Sequence, residues 1–138
     1  MKLTAMMDFI NNMENVGRLF IGAFFGIIFI QSSLDKVFNW KGNLDWLSGH
    51  FAKTIIGKMM TPTLVILTLA EMAAGVFSGF GALYFLISGQ SIIIYYGLLL
   101  SCAALLMLIL GQRLAQDYEG AQTIAIYFGV AMVGLFFF

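Results

Sequence analysis

From Met72 to Gln112 the chain carries no charged residue, with Glu71 before this run and Arg113 after it. Apolar runs of about 20 residues or more mark membrane spans. A single helix across the whole interval would be about 60 Å long, twice the thickness of a bilayer's hydrocarbon core. The run must therefore fold back on itself. Ser88-Gly89-Gln90-Ser91 is small, polar and flexible enough to make that turn.

The rest of the chain divides by the same length rule. Stretches 16–33, 62–88, 91–111 and 121–138 each supply close to the 20 mainly apolar residues a span needs. Thr61 and Pro62 open the second as N-cap and first helical residue. The expected fold is all-α: one integral membrane bundle of four transmembrane helices over residues 1–138, with both termini on one side. Composition points the same way, at 61% hydrophobic and 10% charged with mean hydropathy +0.94, where soluble domains carry roughly a quarter charged residues. The formal net charge of zero gives nucleic acid nothing to bind, so lipid and other protein subunits are the expected partners. Residues 1–15 are too polar for a secretory signal.

Two flanking segments read as interfacial. Leu3, Met6, Met7, Ile10 and Met13 share one helical face, which suits a short helix lying on the membrane. In 34–61, Leu44, Leu47, Phe51 and Ile55 form a second stripe, with Trp40 and Trp46 as headgroup-level anchors. Tyr84, Tyr95, Tyr96 and Phe136 to Phe138 mark the opposite interface. Lys36, Lys41, Lys53, Lys58 and Arg113 lie on the loop side, against Lys2 and Arg18 on the side of the termini. The positive-inside rule then puts the loops in the cytoplasm.

Lipid is as apolar as leucine, so spans associate through close packing and a few polar contacts. Gly22 and Gly26, Gly75 and Gly79, and Ala125 and Gly129 are small residues four apart. They serve packing within one chain or pairing between two copies.

A charge at membrane depth is costly and marks a candidate site. Glu71 is the clearest case, about 13 Å into the second span. Asp35 and Lys36 close the first span, Arg113 and Asp117 sit between the third and fourth, and all belong to the loop side. Lys36 or Arg113 reaching down could neutralise Glu71. The cluster reads as an ion-pair network that sets helix register, as a pocket for a quinone headgroup, or as a docking surface, and spacing does not separate these. His50, the single histidine, reads as an ordinary loop residue and Cys102, the single cysteine, as helix packing. One histidine and one cysteine give neither a bis-histidine haem site nor a Cys-x-x-Cys relay, so no intrinsic metal or cofactor is expected. No Gly-rich phosphate loop is present.

Four short motifs bear comparison with a family. They are Gly17-Arg18-Leu19, Asp35-Lys36-Val37-Phe38, Glu71 followed by Gly75, and Gly111-Gln112-Arg113-Leu114-Ala115-Gln116-Asp117-Tyr118. In this order they resemble the DoxX-like family of small four-helix bacterial membrane proteins, from about Gly17 to Phe138. The segment between Asn39 and Thr61 is longer than in a compact member. The resemblance implies a multi-pass protein of the bacterial cytoplasmic (inner) membrane. It also implies association with quinone-linked oxidoreductase complexes, and it assigns no catalytic residue. The expected function is a non-catalytic subunit or anchor of a cell-envelope assembly. The alternatives are a self-contained quinone-binding oxidoreductase subunit, or a structural component of a transport, export or motility machine.

Overall fold

The computed structural model describes residues 2–138, and its regular elements are helical. In chain order they are α1 (Leu3–Ile10), α2 (Met13–Phe38), α3 (Trp40–His50), a 3-10 turn (Gly57–Met59), α4 (Met60–Ser88), α5 (Ile92–Leu114) and α6 (Tyr118–Leu135). Three segments are long and apolar enough to cross a membrane: Met13–Phe38, Gly57–Ser88 and Ile92–Leu114. This fits a chain that crosses a bilayer more than once. At 18 residues α6 is the shortest of the long helices and starts polar, with Glu119 and Gln122, so its apolar part begins only at Ile124.

Local chemistry explains three of the helix ends. Asn12 caps α2, its side chain accepting from the backbone N–H groups of Glu14 (3.0 Å) and Asn15 (3.4 Å). Glu14 in the first turn and Lys36 in the last complement the helix dipole. Gly89 ends α4 in the left-handed conformation (φ +75°), its N–H donating to the Phe85 carbonyl at 2.9 Å. Asp117 caps α6 through the Gly120 N–H at 2.9 Å.

Two boundaries differ from those read in the sequence. The first long helix runs on past Ser33 to Phe38, so Asp35 and Lys36 are helical residues. Nothing in Leu34-Asp35-Lys36-Val37 breaks a helix, and only Asn39 does. The second begins at Met60 with Met59 as N-cap, because the 3-10 turn feeds straight into it. Pro62 is tolerated in that first turn, where its missing N–H would have had no partner.

The long helices run alternately up and down. α2 packs on α4, α4 on α5 and α5 on α6, while α6 touches α2 only weakly. Phe25 and Phe29 of α2 stack with ring centres 5.9 Å apart. They fill a core completed by Ala74, Leu98, Ala104, Leu105 and Ala131. Glycines set the spacing. A Cβ on Gly26 would come 2.7 Å from the Gly79 Cα, and one on Gly75 would come 2.6 Å from the Ile30 backbone nitrogen. On the other side of α4, a Cβ on Gly97 would meet the Ser78 backbone nitrogen at 2.5 Å. These helices touch backbone to backbone.

The apolar stripe of α1 is exposed, and its anchor is Phe9, whose ring lies 5.0 Å from that of Phe85. Outward-facing Ile27, Leu69, Ile87, Leu110 and Ile126 give the bundle an apolar exterior suited to lipid.

Candidate functional site

Ser32 and Lys36 stand one helical turn apart on α2 and face Glu71 on α4. The Lys36 Nζ lies 3.0 Å from Glu71 Oε2 and donates to Ser32 Oγ at 2.8 Å. The Ser32 hydroxyl donates in turn to Glu71 Oε2 at 3.1 Å. Glu71 is 1% exposed and Lys36 14% exposed. One turn before Glu71, the buried Thr68 hydroxyl donates to the Leu64 carbonyl at 2.7 Å. It is thereby satisfied within its own helix.

The Lys36 side chain reaches from the loop-side end of α2 to a carboxylate deeper in the bundle, keeping its stem along apolar surface. Charge pairing and the Ser32 bridge offset the cost of desolvating Glu71. Taking away one member leaves a buried charge unpaired, which costs about 3–5 kcal/mol.

The other expected members go elsewhere. Asp35 is exposed and turned toward α3, where Asn43 Nδ2 donates to its Oδ2 at 3.3 Å. Arg113 is exposed, its guanidinium 4.6 Å from the centre of the Tyr118 ring. Asp117 caps α6 and lies 3.5 Å from His50 Nε2. The loop-side charges thus form separate contacts, and Glu71 keeps Lys36 as its cation.

His50 ends α3 instead of lying in a loop. Its ring stacks on Trp46 at 4.6 Å and 16°, and its Nε2 is also 3.3 Å from Gln112 Oε1. It therefore pins α3 to the turn between α5 and α6. The i, i+4 spacing of Trp46 and His50 was a signal for their stacking within α3, and that of Ser32 and Lys36 for their shared face on α2.

Of the small-residue pairs, Gly22, Gly26, Gly75 and Gly79 sit at the α2 contact with α4, Gly22 also touching Ile94 of α5. Ala125 is exposed, and a Cβ on Gly129 would meet nothing within 4 Å. Gly81 and Gly97 fit α4 against α5. Gly97 stands four before the buried Ser101, a small-residue spacing that marks it in the sequence, while Gly81 has phenylalanine four residues to either side. Cys102 is a free, half-buried thiol on α5. Among the described residues no group of three or more His, Cys, Asp or Glu side chains could hold a metal ion.

The structure thus defines a class: a helical protein with three helices long and apolar enough to cross a membrane, two of them fastened by a buried Lys–Glu pair. No protein-family model, curated protein or solved structure matches the chain, so the DoxX-like resemblance rests on its short motifs.

Proposed function

We propose that the chain is a four-span subunit or anchor of a larger assembly in the bacterial cytoplasmic membrane. The DoxX-like resemblance supplies its setting, a quinone-linked oxidoreductase complex, and the positive-inside rule puts its loops in the cytoplasm. The observation that carries this reading is the commitment of Glu71. Its carboxylate is 1% exposed and held by Lys36 and Ser32. A catalytic acid or base must come within hydrogen-bond reach of its substrate. The crevices between α2 and α4, between α2 and α6, on the face of the termini and beneath α3 are all lined without Glu71.

The lateral surface supports a protein partner. Between α2 and α6 an open seam of about 1060 Å³ is lined only by Gly, Ala, Ile, Val and Phe, Gly129 among them. Small residues let membrane helices approach closely, so the occupant proposed is an apolar transmembrane helix of another subunit. Extraction of the tagged chain from native membranes in mild detergent, followed by mass spectrometry, tests this. Stoichiometric partners are expected, and Gly129→Leu should lose them while the bundle melts at the same temperature. Recovery of the chain alone, with full quinone-linked activity, would sink the reading.

A self-contained quinone-binding role is the second reading. The groove between α2 and α4, about 1030 Å³, is apolar along Ile27, Val76 and Leu83 and polar at its loop-side end through Gln31 and Asp35. Quinone retained through purification, and lost in Gln31→Leu but not in Glu71→Gln, would favour it.

A further inference from the structure

On the face of the termini, Arg18, the α4–α5 turn and the end of α6 border a crevice of about 760 Å³. That size suits a small ligand, for which sites run roughly 300–1,000 Å³. The wall changes character along its length. Arg18, Gln90, Ser91 and Tyr95 are polar, while Leu99 and Leu135 continue the surface toward the apolar middle of the bundle. Arg18 lies in the second turn of α2, about 8 Å from the helix start, near the headgroup level.

The Arg18 guanidinium has five N–H donors. Its Nε donates to the Phe137 carbonyl, and its Nη1 reaches Ser91 Oγ at 3.3 Å. The Phe138 ring covers one of its faces, 5.1 Å from Cζ. Its carboxylate neighbour, Glu14, is 3.7 Å away and 69% exposed, a surface pair that water and salt weaken. These contacts orient the cation without neutralising it inside the crevice.

Further donors converge on the same space. Ser91 accepts from Arg18, which leaves its own hydroxyl proton to donate. Tyr95 lines the crevice, its ring 5.7 Å from that of Phe138. Ser91 does not cap α5 with its side chain, so the first turn of that helix adds partial positive charge.

We propose that this crevice binds the phosphodiester headgroup of an anionic phospholipid, with an acyl chain lying along Leu99 and Leu135. Arg18 pairs with the phosphate through its remaining N–H groups, and Ser91 and Tyr95 donate hydroxyl hydrogen bonds to it. A zwitterionic lipid would bring its own ammonium against Arg18, so anionic headgroups are selected. This site does not depend on the subunit reading above, being on the opposite face from the Glu71 cluster.

Native mass spectrometry of the full chain, delipidated and titrated with phosphatidylglycerol or phosphatidylcholine, tests the proposal. One phosphatidylglycerol should bind about tenfold more tightly than phosphatidylcholine, with the preference lost in Arg18→Gln. Tyr95→Phe, which keeps the ring, should weaken phosphatidylglycerol about threefold to tenfold. Because Arg18 also ties the termini together, Tyr95→Phe decides the matter if Arg18→Gln fails to fold. Equal binding of the two lipids, or equal retention by wild type and Tyr95→Phe, overturns the proposal. Inorganic phosphate that binds at the same site while phosphatidylglycerol shows no preference also overturns it, in favour of a soluble anion.

Discussion

Lys36, in the last turn of α2, reaches Glu71 on α4 with Nζ 3.0 Å from Oε2, and the Ser32 hydroxyl bridges the two. The contact fixes both the rotation of α2 about its axis and its height against α4. Ser32 on the adjacent turn has to face α4 for the bridge to close.

The pair yields a double-mutant cycle. Lys36→Met and Glu71→Leu should each destabilise the bundle by about 3–5 kcal/mol, since each leaves a charge unpaired away from water. The double variant should recover most of that loss, because two apolar side chains of similar volume replace the ion pair. Reversible unfolding in mixed micelles measures it. A double variant as unstable as the sum of the singles would show that the pair does more than fasten two helices.

Glycines separate into two kinds by what surrounds them. Gly97→Val should prevent a folded bundle from forming, because the added carbon atoms must displace the Ser78 backbone. Gly129→Val should leave stability within about 0.5 kcal/mol, since its Cβ would enter open space. Size-exclusion profiles and melting temperatures of the two variants in detergent check the contrast.

α3 is held at its C-terminal end by His50, between Trp46, Gln112 and Asp117. His50→Ala should free the segment that follows, where Lys53 and Lys58 are exposed. Tryptic cleavage there should speed up several-fold, as the loss of about 1 kcal/mol implies. Asp117→Ala should act more weakly on this cleavage, because His50 keeps Trp46 and Gln112, and should instead cost about 1 kcal/mol of bundle stability through the lost α6 cap. Cleavage rates followed by gel or mass spectrometry rank the two.

Topology separates three spans from four. If α6 crosses the membrane, cysteines placed at Thr4 and at Phe136 in a Cys102→Ala background should be labelled from the same side, and one at Lys53 from the other. If Thr4 and Phe136 are labelled from opposite sides, α6 does not span. An impermeant maleimide applied to intact and opened cells reads this directly.

Glu71 shows how far the sequence reaches. An isolated carboxylate within an apolar run has to find a partner, and Lys36 at the loop-side end of the preceding span was one of two cations within reach. The choice between Lys36 and Arg113 is made by the tertiary structure, because it depends on how far each helix is turned about its axis. α5 presents Arg113 outward over Tyr118, so its charge never enters the bundle. His50 was illegible for a related reason: its partners Gln112 and Asp117 lie more than 60 residues along the chain.

What the sequence determined by itself is local. Helical character, the turn at Gly89 and the length of the apolar runs follow from hydropathy, backbone propensity and the thickness of a bilayer, none of which requires a neighbour. Tertiary structure alone decided the rest. Gly26, Gly75, Gly79 and Gly97 lie at helix crossings, while Gly129, equally small and also in a helix, faces an open seam. A crossing point is set by the rotation and tilt of two helices together, and residue spacing within one helix carries only half of that information.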